Sequence, residues 1–268
     1  RFSYYGMRAI LLFFITDEIA NGGLGIDENT GAVILAVYGA AVYLLSIPGG
    51  IFADRVIGPW RSSLYGGVVI MAGHLCLSVP MESLAWAGIV LVAVGTGFIK
   101  PNLSTIVGGL YDQGDPRRDT GFQLFYMSIN VGAFASPLVT GWLRETYSYH
   151  AGFAAAAIGM AFALVAFVYG RSKLSAFAFD VPNPLRSDER DRLLLVSLGS
   201  AAGIGLVTWA LYLFLGTWPD AIGYTVFVIA LGSSIAYFVI MFRSPKVTSP
   251  ERTHLRAYIS LWIGAVLF

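Results

Sequence analysis

Arg1, Tyr4, Tyr5 and Arg8 open the chain in the stretch RFSYYGMRAILLFFIT. At about 100° per residue all four fall within an arc of roughly 100°, one face of a single helix. An arginine at bilayer depth costs about 2.5–3.5 kcal/mol on insertion scales. A water-filled cavity removes that cost, and there a guanidinium grips a carboxylate with paired hydrogen bonds. Ile10, Phe13 and Phe14 occupy the other side, suited to lipid or helix packing. The alternative is that the arginines snorkel to the headgroups. That fits Arg1 better than Arg8, which lies about 10 Å further along the helix.

Lys100 poses the same problem in VAVGTGFIKPNLSTIVGGL, which is apolar on both sides. Pro101 removes a backbone hydrogen bond and predicts a kinked helix, helped by Gly95 and Gly97. Such helices are tolerated at membrane depth where they line a cavity. A helix ending at Ile99 would instead let Lys100 reach the interface, at the cost of a span shorter than the roughly 20 residues a bilayer requires. Gln123, Tyr126 and Asn130 add a polar stripe at i, i+3, i+7 spacing, and Tyr43 sits midway along another apolar run, with Ser46 on its face and Pro48 beyond. Each alone also reads as an interhelical hydrogen-bonding residue; together they favour one polar lumen. No Asp or Glu lies deep within these runs. The counter-anions of Arg1, Arg8 and Lys100 must therefore be a ligand, or carboxylates outside this chain.

The elements that position these residues are membrane helices. Of 268 residues, 56% are hydrophobic and 12% charged, against about 25% charged in a soluble domain. Spans are predicted at 1–20, 31–53, 61–80, 84–110, 120–142, 151–171, 193–216 and 220–243, with a ninth starting near 256. The first and last look cut, so the chain reads as a fragment of a longer protein. Thirteen of the 17 Lys and Arg residues occupy alternate connections: Arg55 and Arg61; Arg117 and Arg118; Arg171, Lys173, Arg186, Arg190 and Arg192; Arg243, Lys246, Arg252 and Arg256. The opposite connections hold only Arg144, which places the N-terminus in the cytoplasm. RSKLSAFAFDVPNPLRSDERDR reads as a cytoplasmic linker. In the hairpin that follows, Gly199, Gly203 and Gly205 predict close helix packing.

The single cysteine, Cys76, excludes an internal disulfide. No nucleophile–base pair or metal cluster appears, GTGFIKPN lacks the GK[ST] of a phosphate loop, and an enzyme is not expected. His74, alone within the third span, reads as a hydrogen-bonded core histidine before a proton relay. The Asn102-Leu103-Ser104 sequon falls at the membrane and is discounted.

RFSYYG resembles the end of the ExxERFxYYG signature of the proton-dependent oligopeptide transporters, a branch of the major facilitator superfamily. GGIFADRVIG at 49–58 resembles that superfamily's loop motif between helices two and three. GTGFIKPNLSTIVGGLY at 95–111 and FYMSINVGAFASP at 125–137 are similar to two further family signatures. The resemblance implies an all-α integral membrane fold: two six-helix bundles of paired three-helix repeats rocking around a midplane site. GGIFADR and GGLYDQGDPRR are a faint echo of that repeat. Residues 1–171 would be the N-terminal six-helix bundle with its first helix truncated, 172–192 a linker, 193–243 the extra hairpin of bacterial members, and 244–268 a linker and the start of the C-terminal bundle.

By the same resemblance, Arg1 matches the signature arginine that binds the peptide carboxylate and couples to the motif's glutamates. Lys100 matches a lysine of both peptide and proton coupling. Tyr4, Tyr5, Arg8, Tyr43 and Asn130 match positions lining the peptide site, and Asp54 and Arg55 match the gating loop. The ExxE glutamates and the acidic group for the peptide's amino terminus would lie outside this chain. The function implied is proton-coupled import of di- and tripeptides by alternating access. It needs no cofactor or metal besides the coupling proton, and its partners are small peptides, protons and membrane lipid, with no nucleic acid. The setting is a plasma membrane, the inner one in bacteria. The competing expectations are a same-fold carrier of another anion, such as nitrate or a modified amino acid, and a non-transporting scaffold whose hairpin docks a partner.

Overall fold

The computed structural model describes residues 1–112, 114–245 and 247–267, with side chains of the last segment as far as Gly264. Lys246, counted above among the cytoplasmic cations, lies outside them. Among the described residues the regular elements are all helical: α1 Phe2–Thr16, α2 Glu28–Leu44, α3 Ser46–Phe52 followed by a π-helical turn Ala53–Ile57, α4 Pro59–Leu77, α5 Glu82–Gly108, α6 Arg117–Thr146, α7 Tyr149–Tyr169, α8 Ser187–Leu215, α9 Trp218–Arg243 and α10 Ser249–Leu267. Among the described residues six stretches are long and apolar enough to cross a membrane, the continuous Glu28–Ile57 among them. α1, with 15 residues, is shorter. α4 falls outside the six because Arg61, Ser62, Ser63, His74 and its glycines dilute its apolar content.

Local chemistry sets the boundaries. Asp27 caps α2 by accepting a hydrogen bond from the Thr30 N–H at 3.0 Å, satisfying one of the donors a helix start leaves free. Gly58 (φ +81°) ends the π-helical turn, and Gly216 (φ +79°) turns α8 into α9, a backbone region open to glycine. The Asp27 cap carries a pH dependence. The Thr30 N–H and hydroxyl hold its carboxyl below the usual aspartate range. A carboxyl depressed on folding stabilises above its unfolded pKa of about 4, and loses that contribution as pH falls through the lower folded value. Asn is an equivalent cap. Asp27→Asn and wild type should therefore differ in thermal midpoint by different amounts at pH 7 and well below pH 4; a constant difference would sink this assignment.

α1 is held against α6, α7 and α2. Its buried face is Met7, Ile10, Leu11, Phe14 and Ile15, packed with Leu77, Val92, Tyr149 and Phe153. Ile10 and Phe14 thus take the packing role expected, while Phe13 is half-exposed under the Arg144 guanidinium, 4.3 Å from its ring centre. Polar bonds pin the back of α1. Ser3 Oγ lies 2.6 Å from His74 Nε2, and Thr140 Oγ1 donates to Gly6 O at 3.0 Å.

One sequence expectation fails, and two helix boundaries shift. The residues read as a linker begin α8 early, at Ser187, and the part before it is packed down. Leu174, Ala178 and Phe179 join Trp60, Ile106 and Phe167 in a second apolar cluster, and the Asn183 and Leu185 N–H groups donate to Asp54 O and Arg55 O at 2.9 and 3.0 Å. Gly199, Gly203 and Gly205 do not form a tight interface: a Cβ at any of them would meet nothing within 4 Å. The close packing is in α3, α4 and α5. Gly66 faces Gly95 and Gly73 faces Gly88, each near enough that a Cβ would meet the other's carbonyl oxygen at 2.5–2.9 Å. The last helix starts at Ser249, not near 256, where Glu251 binds back to Thr248 N at 2.8 Å.

Candidate functional site

α5 runs unbroken from Glu82 to Gly108 with Pro101 inside it, so Lys100 lies within the helix. Pro101 has no N–H for the Gly97 carbonyl, and Gly49 of α3 packs against that carbonyl with no room for a Cβ. Asn102 then ties the distal half of α5 down, donating to Phe98 O at 2.6 Å and Ser62 Oγ at 2.9 Å. Gly95 and Gly97 act through these close approaches. Gly97 lies under Leu45, where a Cβ would meet the Leu45 carbonyl oxygen at 2.7 Å. This contact brings the C-terminal end of α2 beside Lys100.

The result is a cation–π pair. Lys100 Nζ sits 2.9 Å from the centre of the Tyr43 ring. Tyr43 is 65% exposed and Lys100 half-buried, so the ammonium keeps access to a ligand. Tyr43, Tyr4 and Arg8 line one cleft of about 450 Å³ between α1 and α2. Arg1 and Arg8 both lie close enough to Lys100 for their charges to act on it. The Tyr4 ring meets Tyr5 edge-on at 5.3 Å and stacks on Tyr38 at 6.4 Å. Arg1 abuts Gly132 of α6, whose Cβ position is 3.3 Å from Arg1 Cβ. None of Arg1, Arg8 and Lys100 has a carboxylate partner among the described residues.

Among the described residues Asn130 shows no bond to this group. It is exposed on α6 and makes no hydrogen bond to the cleft residues among the described ones, and Gln123 and Tyr126 are exposed on the same helix. Arg55 does not pair with Asp54. Its guanidinium forms an ion pair with Glu189 at the start of α8, while Asp54 is exposed. The sequence reading missed Glu189, because 134 residues separate the partners. It also missed Tyr38, buried with its hydroxyl unpartnered among the described residues. The first tyrosine of YGAAVY, five residues before Tyr43, is the signal that pointed to it.

The apolar helices thus hold three cations beside tyrosines with no carboxylate partner among the described residues. The sequence model of the POT family (PTR2) matches residues 62–268. The chain belongs to the POT family. Over its whole length it is 44% identical to the uncharacterized transporter YclF of Bacillus subtilis (strain 168) and 40% identical to a di-/tripeptide transporter of Lactococcus lactis subsp. lactis (strain IL1403). The crystal structure of a POT family transporter in complex with 5-aminolevulinic acid superposes with a TM-score of 0.89 over 98% of this chain, at 40% identity, and 54% of that chain is covered. The chain spans about half the length of the curated relatives it matches, 54% and 55% of the two named. It is a multi-pass membrane protein with the helical fold of the POT transporters, and those matches lie in their N-terminal half.

Proposed function

We propose that this POT chain supplies one wall of the substrate path in a proton-coupled symporter that imports di- and tripeptides by alternating access. The observation that carries this reading is the arrangement of Lys100 on the Tyr43 ring with Arg1 and Arg8 nearby and no carboxylate among the described residues to neutralise them. Arg1 and Lys100 serve both the peptide carboxylate and proton coupling; Tyr4, Tyr5, Arg8, Tyr43 and Asn130 line the site. Protonation of a carboxylate outside this chain frees Arg1 or Lys100 from an ion pair, and the freed cation takes the peptide. Asp54 and Arg55 act as the gate, where the Arg55–Glu189 ion pair biases one conformation over another. No cofactor takes part and no bond of the substrate is broken, so the protein is not an enzyme. Thirteen cations against one support a cytoplasmic N-terminus in a plasma membrane, the inner one in bacteria. Residues 1–171 form the bundle, 172–192 its linker, 193–243 the inserted hairpin, and 244–268 lead toward the second bundle.

The test is uptake of a labelled dipeptide by proteoliposomes holding the full-length protein, with and without an inward proton gradient. Accumulation should require the gradient and be competed by unlabelled di- and tripeptides. The relative bound to 5-aminolevulinic acid favours a second reading, a single carboxylate-bearing amino acid as substrate. Competition by that class and not by peptides would replace the first reading with the second.

A further inference from the structure

The extra hairpin does not close onto the bundle along its length. α9 packs along α2, where Gly223 lies against Val33 and Val37, and a gap remains between α9 and α5. That gap is a cavity of about 430 Å³. Its mouth is formed by Ile34, Trp86 and Trp218, and its floor by Leu45, Ala93 and Val94. Trp86 aims its indole N–H at Glu82 Oε1, 3.5 Å away at the first turn of α5, and Trp218 opens α9. Two tryptophans at helix starts mark a membrane–water interface, so the mouth lies at headgroup level. From Ile34 to Leu45 the cavity runs about 16 Å down α2 at 1.5 Å per residue. One leaflet of a bilayer's hydrocarbon core is about 15 Å deep.

An apolar cavity of this kind stays dry and takes an apolar ligand. We propose that it holds one acyl chain of a phospholipid from the leaflet that meets Glu82 and Trp218, which fills the space between hairpin and bundle. Length, chemistry and position select this occupant. The cavity is one leaflet deep, its lining is aliphatic and aromatic with no charged residue, and its tryptophan-flanked mouth is where a glycerol backbone sits. The acyl chain gives α9 a surface on the α5 side that no side chain supplies. The proposal does not depend on the transported solute.

The experiment uses the full-length protein in liposomes doped with phosphatidylcholine carrying a diazirine on one acyl chain, in two isomers, near the carboxyl end or near the methyl end. Photolysis and peptide mapping should find the shallow isomer on Trp86 and Trp218 and the deep isomer on Leu45, Ala93 and Val94. The exposed α8 residues Leu198 and Leu206 report ordinary lipid contact. Ala93→Phe fills the floor and should lower deep labelling severalfold while leaving α8 unchanged; Ala41→Phe does the same from α2 if the first variant folds poorly. Cavity residues that stay unlabelled while α8 is labelled would mean that another part of the protein covers the gap. Labelling that ignores isomer depth, or survives both fillings in folded protein, would reduce the site to general lipid contact. Either result overturns the proposal.

Discussion

Lys100→Ala is expected to abolish gradient-driven accumulation of a labelled dipeptide and to leave the amount of inserted protein unchanged. The ammonium is half-buried, and its contact across helices among the described residues is with Tyr43, whose ring is 65% exposed. The hydrogen bonds that anchor this part of α5 come instead from Asn102 to Ser62 and Phe98. Removing the charge therefore spares the fold. A charge-assisted hydrogen bond contributes about 1.5–3 kcal/mol, so dipeptide affinity should fall roughly 10- to 150-fold at 1.4 kcal/mol per tenfold. Coupling should suffer more than binding, because the cation that exchanges one carboxylate partner for another is gone. Counterflow exchange of labelled for unlabelled dipeptide, which needs no proton gradient, measures the part that survives. Normal accumulation in the variant would remove Lys100 from the mechanism.

The cation face was legible because helix periodicity is a local property. Arg1, Tyr4, Tyr5 and Arg8 share an arc whatever surrounds them, and the price of a charge in hydrocarbon makes their placement informative. Lys100 was legible for the same reason, since an apolar run on both sides of a lysine leaves few places for it. Asn130 was less so. Its spacing defines a face, but spacing does not say how far that face lies from Lys100, and the described residues give it no hydrogen bond there. The Arg55–Glu189 pair was beyond the sequence altogether. It depends on how the segment before α8 folds back over the end of the π-helical turn, through backbone bonds at Asp54 and Arg55 that carry no side-chain signature. Composition alone made that segment look like a simple connector. Its Leu174 and Phe179 pack it down, and they find Trp60 only in three dimensions.

The glycines show the same limit and lead to the second large effect. Gly199, Gly203 and Gly205 have the spacing of a packing motif, yet they face open space, whereas Gly66 and Gly73 meet Gly95 and Gly88 in one antiparallel register. Small residues permit close approach; the partner helix decides whether it happens. A Cβ at Gly95 would meet Gly66 O at 2.5 Å and Ile70 N at 2.9 Å, both backbone atoms that no rotamer change can move. Gly95→Ala should therefore force α4 and α5 apart and destabilise the protein by about 1–3 kcal/mol, the usual cost of overpacking. Gly203→Ala should stay within about 0.5 kcal/mol of wild type, as at an open surface. Thermal unfolding of the two variants in the same detergent checks both, and a Gly95→Ala midpoint equal to that of Gly203→Ala would mean that the α4–α5 contact yields. The two routes to lost uptake are then separable. Gly95→Ala should lose transport and stability together, because α5 carries Lys100 and is aligned through this contact. Lys100→Ala should lose transport alone if, as proposed, the charge acts in the cleft and not in the packing that presents it.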